Sequence, residues 1–260
     1  GLDYKTLNIG YNNGKLFNKL KNCIIFPLKD KEGKITSLYG RSISENKVKK
    51  DGKHFYSENR TGLYPKYPEE NTETIIISEA IIDAATLLQI PEITKEYTIL
   101  SCYGNVSFTK ELQQTIKELK NLKEIIIFFD GDKGGIEGIK HINEIIQNQN
   151  TGIKITVVPT PEGEDINSLF IKHGKEFLIN LIKEKKSINE IITTLSAGSS
   201  SSETEVKPTT SLSTENSSTE NITSSENKSI ITLKHIHSWP YYLPNDYSKI
   251  HHQRRITSKT

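Results

Sequence analysis

Acidic residues follow three apolar runs of this 260-residue chain, at the points where buried strands would end. Glu79 follows residues 75–78, Asp130 and Asp132 follow a second run, and Asp165 comes after a third. Since open α/β sheets gather their chemistry at the C-terminal edge of the strands, we expect these carboxylates to lie together. Mg²⁺ prefers a few carboxylate oxygens and keeps several waters, which leaves room for phosphate. The pattern therefore predicts a divalent-cation site that serves nucleotides or nucleic acid.

The spacing within each acidic motif supports this interpretation and also leaves structural alternatives open. Asp83 lies four residues after Glu79, one turn along the same helix face, but a carboxylate in a first helical turn also suits the helix dipole. Asp130 and Asp132 flank a glycine that permits close approach, although an Asp-Gly turn with solvated acids has the same sequence. Asp165 is also well placed to cap the helix that follows it.

The elements that must position these acids alternate from residue 73 to about 192. The sequence predicts strands at 75–78, 97–102, 124–129 and 153–158, and helices at 80–89, 108–120, 134–148 and 166–184. Such an order implies an α/β fold with a largely parallel sheet flanked by helices. Residues 1–70 form a separate small basic α+β lobe, with a hairpin of strands at 24–28 and 35–39.

Composition changes abruptly after this region. Residues 193–229 are rich in Ser, Thr, Glu and Asn, so we expect a disordered linker. Residues 230–260 are a short basic tail, too small for a core of its own. The chain begins with Gly1 and contains no methionine, so we interpret it as a fragment that lacks its natural N-terminus.

Charge and composition exclude several classes of protein. A net charge of +2 neither demands nor excludes nucleic acid, because a local basic face would be averaged away. No apolar run approaches the roughly 20 residues of a membrane span and no signal peptide opens the chain, so we expect a cytoplasmic protein without membrane contact. With Cys23 and Cys102 as the only cysteines, a Cys-rich zinc site is ruled out and buried thiols are expected.

The order of the acids resembles that of the TOPRIM domain, whose mark is a Glu after its first strand and Asp-x-Asp after a later one. Glu79, Asp130 and Asp132 match these positions. Within that superfamily the chain is most similar to the catalytic core of bacterial DnaG-type primases. The similarity is carried by residues 23–30 with Gly33 and by residues 39–41, 54–57, 62–64, 79–83, 130–135 and 161–165.

The resemblance implies a TOPRIM fold and metal-dependent synthesis of short primers on single-stranded DNA from nucleoside triphosphates, with a replicative helicase as a possible partner. It implies two Mg²⁺ or Mn²⁺ ions; we expect no zinc in this chain, because the sequence contains no Cys/His zinc module. Glu79, Asp130 and Asp132 would be the catalytic residues and would bind metal, with Asp83 and Asp165 completing a second site. We favour a ligand or water-positioning role for Glu79 over a general base, because a neighbouring cation lowers a carboxyl pKa.

Cations and aromatic residues of the chain are candidates for contact with nucleic acid. The cations that we expect to contact phosphates are Arg41, Lys53, Arg60 and Lys133. Each could instead be a solvated surface charge. The aromatic residues among them would either stack on unpaired bases or pack within the small lobe; they are Phe55, Tyr56, Tyr64 and Tyr67.

Three departures from the primase pattern keep other functions open. Ala80 replaces a Gly, Asn167 replaces a possible carboxylate ligand, and His54 stands where the family tends to have Lys. Asn167, the missing zinc module and the unexplained C-terminal tail favour a degenerate primase-like module of a mobile element that binds single-stranded DNA or a partner without synthesis. A TOPRIM nuclease is a further alternative. A topoisomerase is disfavoured because no region is large enough for a DNA-gating domain with a nucleophilic Tyr.

Overall fold

The small N-terminal lobe is built on a four-stranded antiparallel sheet. The computed structural model describes residues 2–7, 9–12, 18–58, 60–104, 108–149 and 152–191. The strands are β1 (Gly10–Asn12), β2 (Cys23–Lys29), β3 (Ile35–Ser42) and β4 (His54–Tyr56), in the order β1-β2-β3-β4. A 3₁₀ turn (Asn18–Leu20) precedes β2, and helix α1 (Glu45–Asp51) joins β3 to β4. The predicted hairpin between β2 and β3 is confirmed.

The second sheet has five strands and is mostly parallel, as predicted. Strands β5 (Thr74–Ser78), β6 (Thr98–Ser101), β7 (Glu124–Phe128) and β8 (Lys154–Val157) are parallel, and β9 (Lys186–Ser187) pairs antiparallel with β8. The order is β6-β5-β7-β8-β9. The central strands are continuous apolar runs because both of their faces are covered.

Helices cover both faces of this sheet. They are α2 (Ile81–Leu88), α3 (Pro91–Thr94), α4 (Lys110–Glu118), α5 (Lys133–Asn148), α6 (Ile166–His173) and α7 (Lys175–Lys183). One predicted element is wrong, because the single helix expected at 166–184 is two helices. Gly174 ends α6 with φ +80°, and its N–H donates to the Phe170 carbonyl at 2.9 Å. Glycine takes this left-handed conformation without the steric cost that other residues meet.

Two apolar cores follow from the alternation of side chains along the strands. On one face of the parallel sheet, Ile76 and Ile126 pack with α2, α6 and α7; on the other, Ile75 and Ile125 pack with α4 and α5. The first core also contains Phe26 and other apolar residues of β2 and β3. The small lobe therefore docks on the parallel sheet through a shared hydrophobic core.

Two of the remaining predictions on chain organisation concern segments that lie outside the described residues. These segments are the linker at 193–229 and the tail at 230–260. Within the described part, Cys23 and Cys102 are both buried thiols, as expected. Over that same part, no helix has the length and apolar character needed to cross a membrane.

Candidate active site

A cleft of about 370 Å³ lies between the two lobes. Four acidic side chains line it from the C-terminal edge of the parallel sheet, and they are Glu79, Asp83, Asp130 and Asp165. Residues of the small lobe line its opposite side, and these are Tyr39, Arg41, Lys53, His54 and Tyr56. The sequence prediction that acids from three strand ends would meet therefore agrees with the geometry.

Asp83 is the most deeply buried of the four acids, with 5% of its surface exposed. It sits in the first turn of α2, where its Oδ2 accepts the Ala80 backbone N–H at 3.3 Å. Burial raises the pKa of Asp83 well above its ordinary value, and the negative charges of Asp130, Asp165 and Glu79 raise it further. Asp83 therefore lies in the first turn of a helix and also in the acidic cluster, which are the two alternatives that its sequence position left open.

Gly131 fixes Asp130 against the loop that carries Asp165. A methyl group on Gly131 would lie 1.9 Å from the Pro161 carbonyl oxygen, so no other residue fits. The Gly131 N–H donates to the Glu164 carbonyl at 2.9 Å, and the Gly163 N–H donates to the Gly131 carbonyl at 2.8 Å. These backbone contacts hold the ends of β7 and β8 in one arrangement.

The first turn of α5 also approaches Asp130 closely. A methyl group on Gly135 would lie 2.1 Å from the Asp130 carbonyl oxygen. Asp132 is the N-cap of α5, and its Oδ1 accepts the Gly135 N–H at 2.9 Å. Asp132 does not line the cleft, unlike Asp130, so the structure does not bring the two members of the Asp-Gly-Asp motif to the same surface.

The third motif combines a cap with a position in the cleft. Asp165 is the N-cap of α6 and accepts the Ser168 N–H at 2.6 Å, while it also lines the cleft. Asn167, in the position of a possible family carboxylate, is 8% exposed. Its Oδ1 accepts a hydrogen bond from the Thr86 hydroxyl at 3.4 Å. Asn167 therefore joins α6 to α2 and also lines the cleft beside the acids.

Only two of the four cations predicted to contact phosphate line the cleft. These are Arg41 and Lys53. The Arg60 guanidinium lies 4.9 Å from the Tyr56 ring centre and 4.7 Å from that of Tyr103. Lys133 projects into solvent near Glu137, with an N–O distance of 4.0 Å. Arg60 thus borders the cleft through its two aromatic partners, whereas Lys133 lies outside its lining.

The aromatic residues singled out in the small lobe divide between packing and the cleft. Tyr64 is buried in the core that the two lobes share, and Phe55 is buried in a further apolar cluster within the small lobe, which favours the packing interpretation for both. The Tyr67 hydroxyl donates to Glu111 Oε1 at 2.5 Å, and neither residue lines the cleft. Tyr56 alone of these four lines the cleft.

Sequence reasoning missed Tyr39 and Tyr103, and it treated His54 only as a lost charge. The Tyr39 hydroxyl and His54 Nδ1 are 2.9 Å apart, and Arg41 Nη1 lies 2.9 Å from His54 Nε2. A signal was present, because Tyr39 precedes Arg41 by two residues and a strand places such residues on one face. Tyr103 could not have been identified as a cleft residue from the sequence, because only the path of its loop past Glu79 brings it there.

The acids suit a hydrated divalent cation better than a closed metal cage. In the ranges that the structure covers, no three His, Cys, Asp or Glu side chains are grouped closely enough to hold an ion on their own. Mg²⁺ commonly uses one or two carboxylates and retains waters. The mutual repulsion that raises the pKa of Asp83 is the repulsion that a bound cation relieves, so the donor set fits such an ion.

Parts of this chain are similar to known proteins. Residues 76–170 match a family described as Toprim-like. The DNA primase of Pasteurella multocida is 24% identical over 188 residues, which cover 70% of this chain and 31% of that protein. The DNA primase of Haemophilus influenzae is 24% identical over 191 residues, which cover 69% of this chain and 30% of that protein. The chain thus spans about a third of the length of these curated relatives.

Solved primase structures share the fold. The catalytic core of the E. coli primase superposes with a TM-score of 0.58 at 17% identity, covering 75% of this chain and 73% of that chain. A DnaG primase catalytic domain bound to single-stranded DNA gives a TM-score of 0.59 at 16% identity, covering 75% of this chain and 72% of that chain. At such identities the likeness establishes the architecture of both lobes.

Proposed function

We propose that this chain, whose TOPRIM domain resembles the catalytic core of DnaG-type primases, is a metal-dependent nucleotidyltransferase that makes short primers on single-stranded DNA. One observation carries the proposal. Four carboxylates from three strand ends face Arg41 and Lys53 across a single cleft. An acidic wall for cations opposite a basic wall for phosphates is the arrangement that phosphoryl transfer requires.

The residues divide the work by charge. Glu79, Asp83, Asp130 and Asp165 would hold the divalent ions, and Asp132 stays a predicted ligand that in this structure caps α5. Bound Mg²⁺ or Mn²⁺ would activate a 3′-hydroxyl and neutralise the triphosphate of the incoming nucleotide. Arg41 and Lys53 would orient phosphate oxygens from the other wall, and the close backbone contacts at Gly131 would keep Asp130 and the loop of Asp165 in one arrangement.

Asn167 supports a second candidate function, a non-catalytic module that binds single-stranded DNA. Its amide oxygen carries no net charge and is already engaged with Thr86, so it offers a metal less than a carboxylate does. If the module is degenerate, the basic wall would still bind DNA while the acids no longer support transfer. If the chain makes primers, we propose a replicative helicase as its partner.

Primer synthesis tests the two candidates directly. Purified chain is supplied with single-stranded template, Mg²⁺ or Mn²⁺ and labelled ribonucleotides, alone or with a short annealed primer that removes the need for initiation. We expect labelled products that are lost in Asp130→Asn and retained in Glu137→Gln, an exposed acid on α5. Template binding without any product, unchanged by Asp130→Asn, supports the binding module and contradicts the enzyme.

A further inference from the structure

Four side chains of the small lobe form one polar face above the cleft. Strands β3 and β4 pair Arg41 with His54 and Tyr39 with Tyr56. Directly opposed residues of antiparallel strands share a face, and so do alternate residues along each strand. The same face of β2 carries Phe26 into the core shared with the TOPRIM sheet. The face is therefore held rigidly, and His54 lies at its centre between Arg41 and Tyr39.

We propose that His54 is a positioning residue, which holds the Arg41 guanidinium in the cleft so that it meets a phosphate oxyanion. The inference rests on the proposed function for the identity of the ligand, a triphosphate or a DNA phosphodiester. It assigns a role to the position at which this chain departs from the lysine that the primase pattern favours. The imidazole acts through Arg41 and need not touch the ligand.

The hydrogen bonds define the state of the ring. A guanidinium has only donors, so the 2.9 Å contact with Arg41 Nη1 requires His54 Nε2 to accept. The neutral ring then carries its proton on Nδ1, and this N–H donates to the Tyr39 hydroxyl oxygen at 2.9 Å. Tyr39 is 1% exposed and fixed in the core, so it anchors the ring that orients Arg41.

Partial desolvation of the ring and the surrounding charges favour this neutral state. Arg41 on β3 and Lys53 just before β4 are both cationic, and Tyr39 and Tyr56 contribute rings from the same face. Across the cleft, Asp83 is close enough to act electrostatically on Tyr39. A protonated ring would lose the acceptor and repel Arg41, so the neutral acceptor is the form that positions the guanidinium.

A lysine at position 54 separates this inference from a simple effect of charge. Lysine adds a cation to the basic wall but offers no acceptor to Arg41, and it repels the guanidinium at close range. If total charge decides phosphate binding, His54→Lys binds phosphate more tightly. If the position of Arg41 decides it, His54→Lys binds more weakly although its net charge is higher.

The test measures binding of three probes to the whole chain in Mg²⁺: inorganic triphosphate, ATP and oligodeoxythymidylate. We expect His54→Lys and Arg41→Ala each to weaken binding roughly tenfold, as loss of a charge-assisted hydrogen bond does. His54→Gln keeps an acceptor and a donor, and we expect it to remain within about threefold of the parent. The double variant Arg41→Ala/His54→Lys should be no weaker than Arg41→Ala alone.

The arms of the experiment separate the ligand sources and the outcomes. If Arg41→Ala weakens binding only of triphosphate and ATP, Arg41 contacts the nucleotide. If it weakens binding only of the oligonucleotide, Arg41 contacts the template. Equal or tighter binding by His54→Lys overturns the proposal. Should that variant fail to fold, His54→Ala removes the acceptor without adding charge, and unchanged binding by it is equally contrary.

A spectroscopic measurement and primer synthesis complete the test. Nitrogen chemical shifts of the His54 ring should show the Nδ1–H tautomer in the parent and in a remote control, Glu176→Gln. An Nε2–H tautomer contradicts the proposed hydrogen bonds. Primer synthesis is scored separately: the expected pattern of binding without any synthesis overturns the proposed function and leaves the positioning role of His54 standing.

Discussion

Asp83 shows how one carboxylate carries the electrostatic strain of the whole site. It is buried, it lies near three other acids, and it accepts a hydrogen bond from the Ala80 backbone N–H. Burial and, to a lesser extent, the negative charges of the neighbouring acids disfavour its ionised form, so the pKa of Asp83 in the folded protein is raised above the ordinary carboxyl value. A bound divalent cation would offset that penalty, so the proposed metal binding would stabilise the folded protein.

Removing the charge of Asp83 should therefore stabilise the metal-free protein. Because the pKa of Asp83 is raised in the folded state, its contribution to the free energy of unfolding declines as pH rises above the ordinary value of 3.8. Asp83→Asn keeps an acceptor for Ala80 and removes this decline. We expect a higher Tm than the parent at pH 7 to 8 in the presence of EDTA, measured by thermal unfolding.

Added Mg²⁺ should reverse the ranking. At a concentration of about 100 times its Kd, a ligand specific for the folded state stabilises it by ~2.7 kcal/mol, and we expect Asp83→Asn to lose much of that gain. Glu176→Gln, on α7 outside the cleft lining, should respond as the parent does. An equal Mg²⁺ response in the parent and in Asp83→Asn contradicts a role for Asp83 in metal binding.

The titration of His54 gives a second test at the scale of a residue. Desolvation of the ring and the charges of Arg41 and Lys53 lower the pKa of His54 from 6.5 to about 4. The unfolded chain then binds a proton between these pH values that the folded chain does not, so stability falls as pH drops from 6.5 towards 4. NMR titration of the ring should show a midpoint near 4, and His54→Gln should remove this part of the pH dependence. A midpoint near 6.5 contradicts the environment described for His54.

At the scale of elements, glycines set the geometry of the strand ends. Gly131 and Gly135 let the β8–α6 loop and the α5 N-terminus touch the backbone around Asp130. Where a backbone atom occupies the space of a Cβ, the chain cannot relax by moving a side chain. The distances among the acids therefore depend on the backbone more than on the core residues beneath them.

Gly131→Ala is expected to disrupt this arrangement. Its methyl group would lie 1.9 Å from the Pro161 carbonyl oxygen, and we expect a loss of about 3 kcal/mol or more in the free energy of unfolding. Denaturant unfolding measures the change. Gly33→Asn is the matched control, because its position has φ +77° and open space, and asparagine tolerates that conformation. Similar stability of the two variants would show that the loop at 161–164 moves away freely.

Most of the elements could be predicted from the sequence, because apolar runs of four to six residues mark buried strands and the intervening segments have helical periodicity. The break at Gly174 was detectable in principle, since glycine often ends helices. The pairing of Arg41 with His54 was not, because register between β3 and β4 depends on contacts beyond either strand. Likewise, the different surroundings of Asp130 and Asp132 depend on how α5 begins.

At the scale of the whole molecule, Glu111 connects the two lobes at a point outside the lining of the cleft. Its two carboxylate oxygens accept the Gly62 N–H at 3.0 and 3.1 Å, and one of them accepts the Tyr67 hydroxyl at 2.5 Å. The Tyr103 hydroxyl donates to the Gly62 carbonyl at 2.9 Å. Together with the shared apolar core, these bonds join the two lobes that border the cleft.

Glu111→Ala should weaken both stability and ligand binding. Leaving the Gly62 N–H without this acceptor costs about 1 to 3 kcal/mol, and a less constrained lobe should bind ATP more weakly. Glu111→Gln retains one acceptor oxygen and should show a smaller change in both quantities. Denaturant unfolding and titration with ATP provide the measurements. Loss of stability with unchanged ATP affinity would show that Glu111 does not control the cleft.

The salt dependence of DNA binding tests which cations meet the phosphates. For single strands, each neutralised phosphate contributes roughly 0.7 to the slope of log K against log salt. We expect Lys53→Ala to reduce the slope by about this amount and Lys183→Ala, on α7, to leave it unchanged. Lys133→Ala decides the outstanding prediction for that residue. A reduced slope there would extend the DNA path beyond the cleft, whereas an unchanged slope in Lys53→Ala contradicts its proposed contact.

The contact of Arg60 with Tyr56 and Tyr103 has a consequence for how the protein responds to acidity. One ring belongs to the small lobe and the other to the loop after β6, so the guanidinium bridges the two halves of the molecule. Arginine stays charged throughout the accessible range, and burial raises the pKa of both phenols. This fastening therefore persists while the carboxylates and His54 change protonation. Over that range, a pH profile of activity would report the chemistry within the cleft and would be insensitive to this link between the lobes.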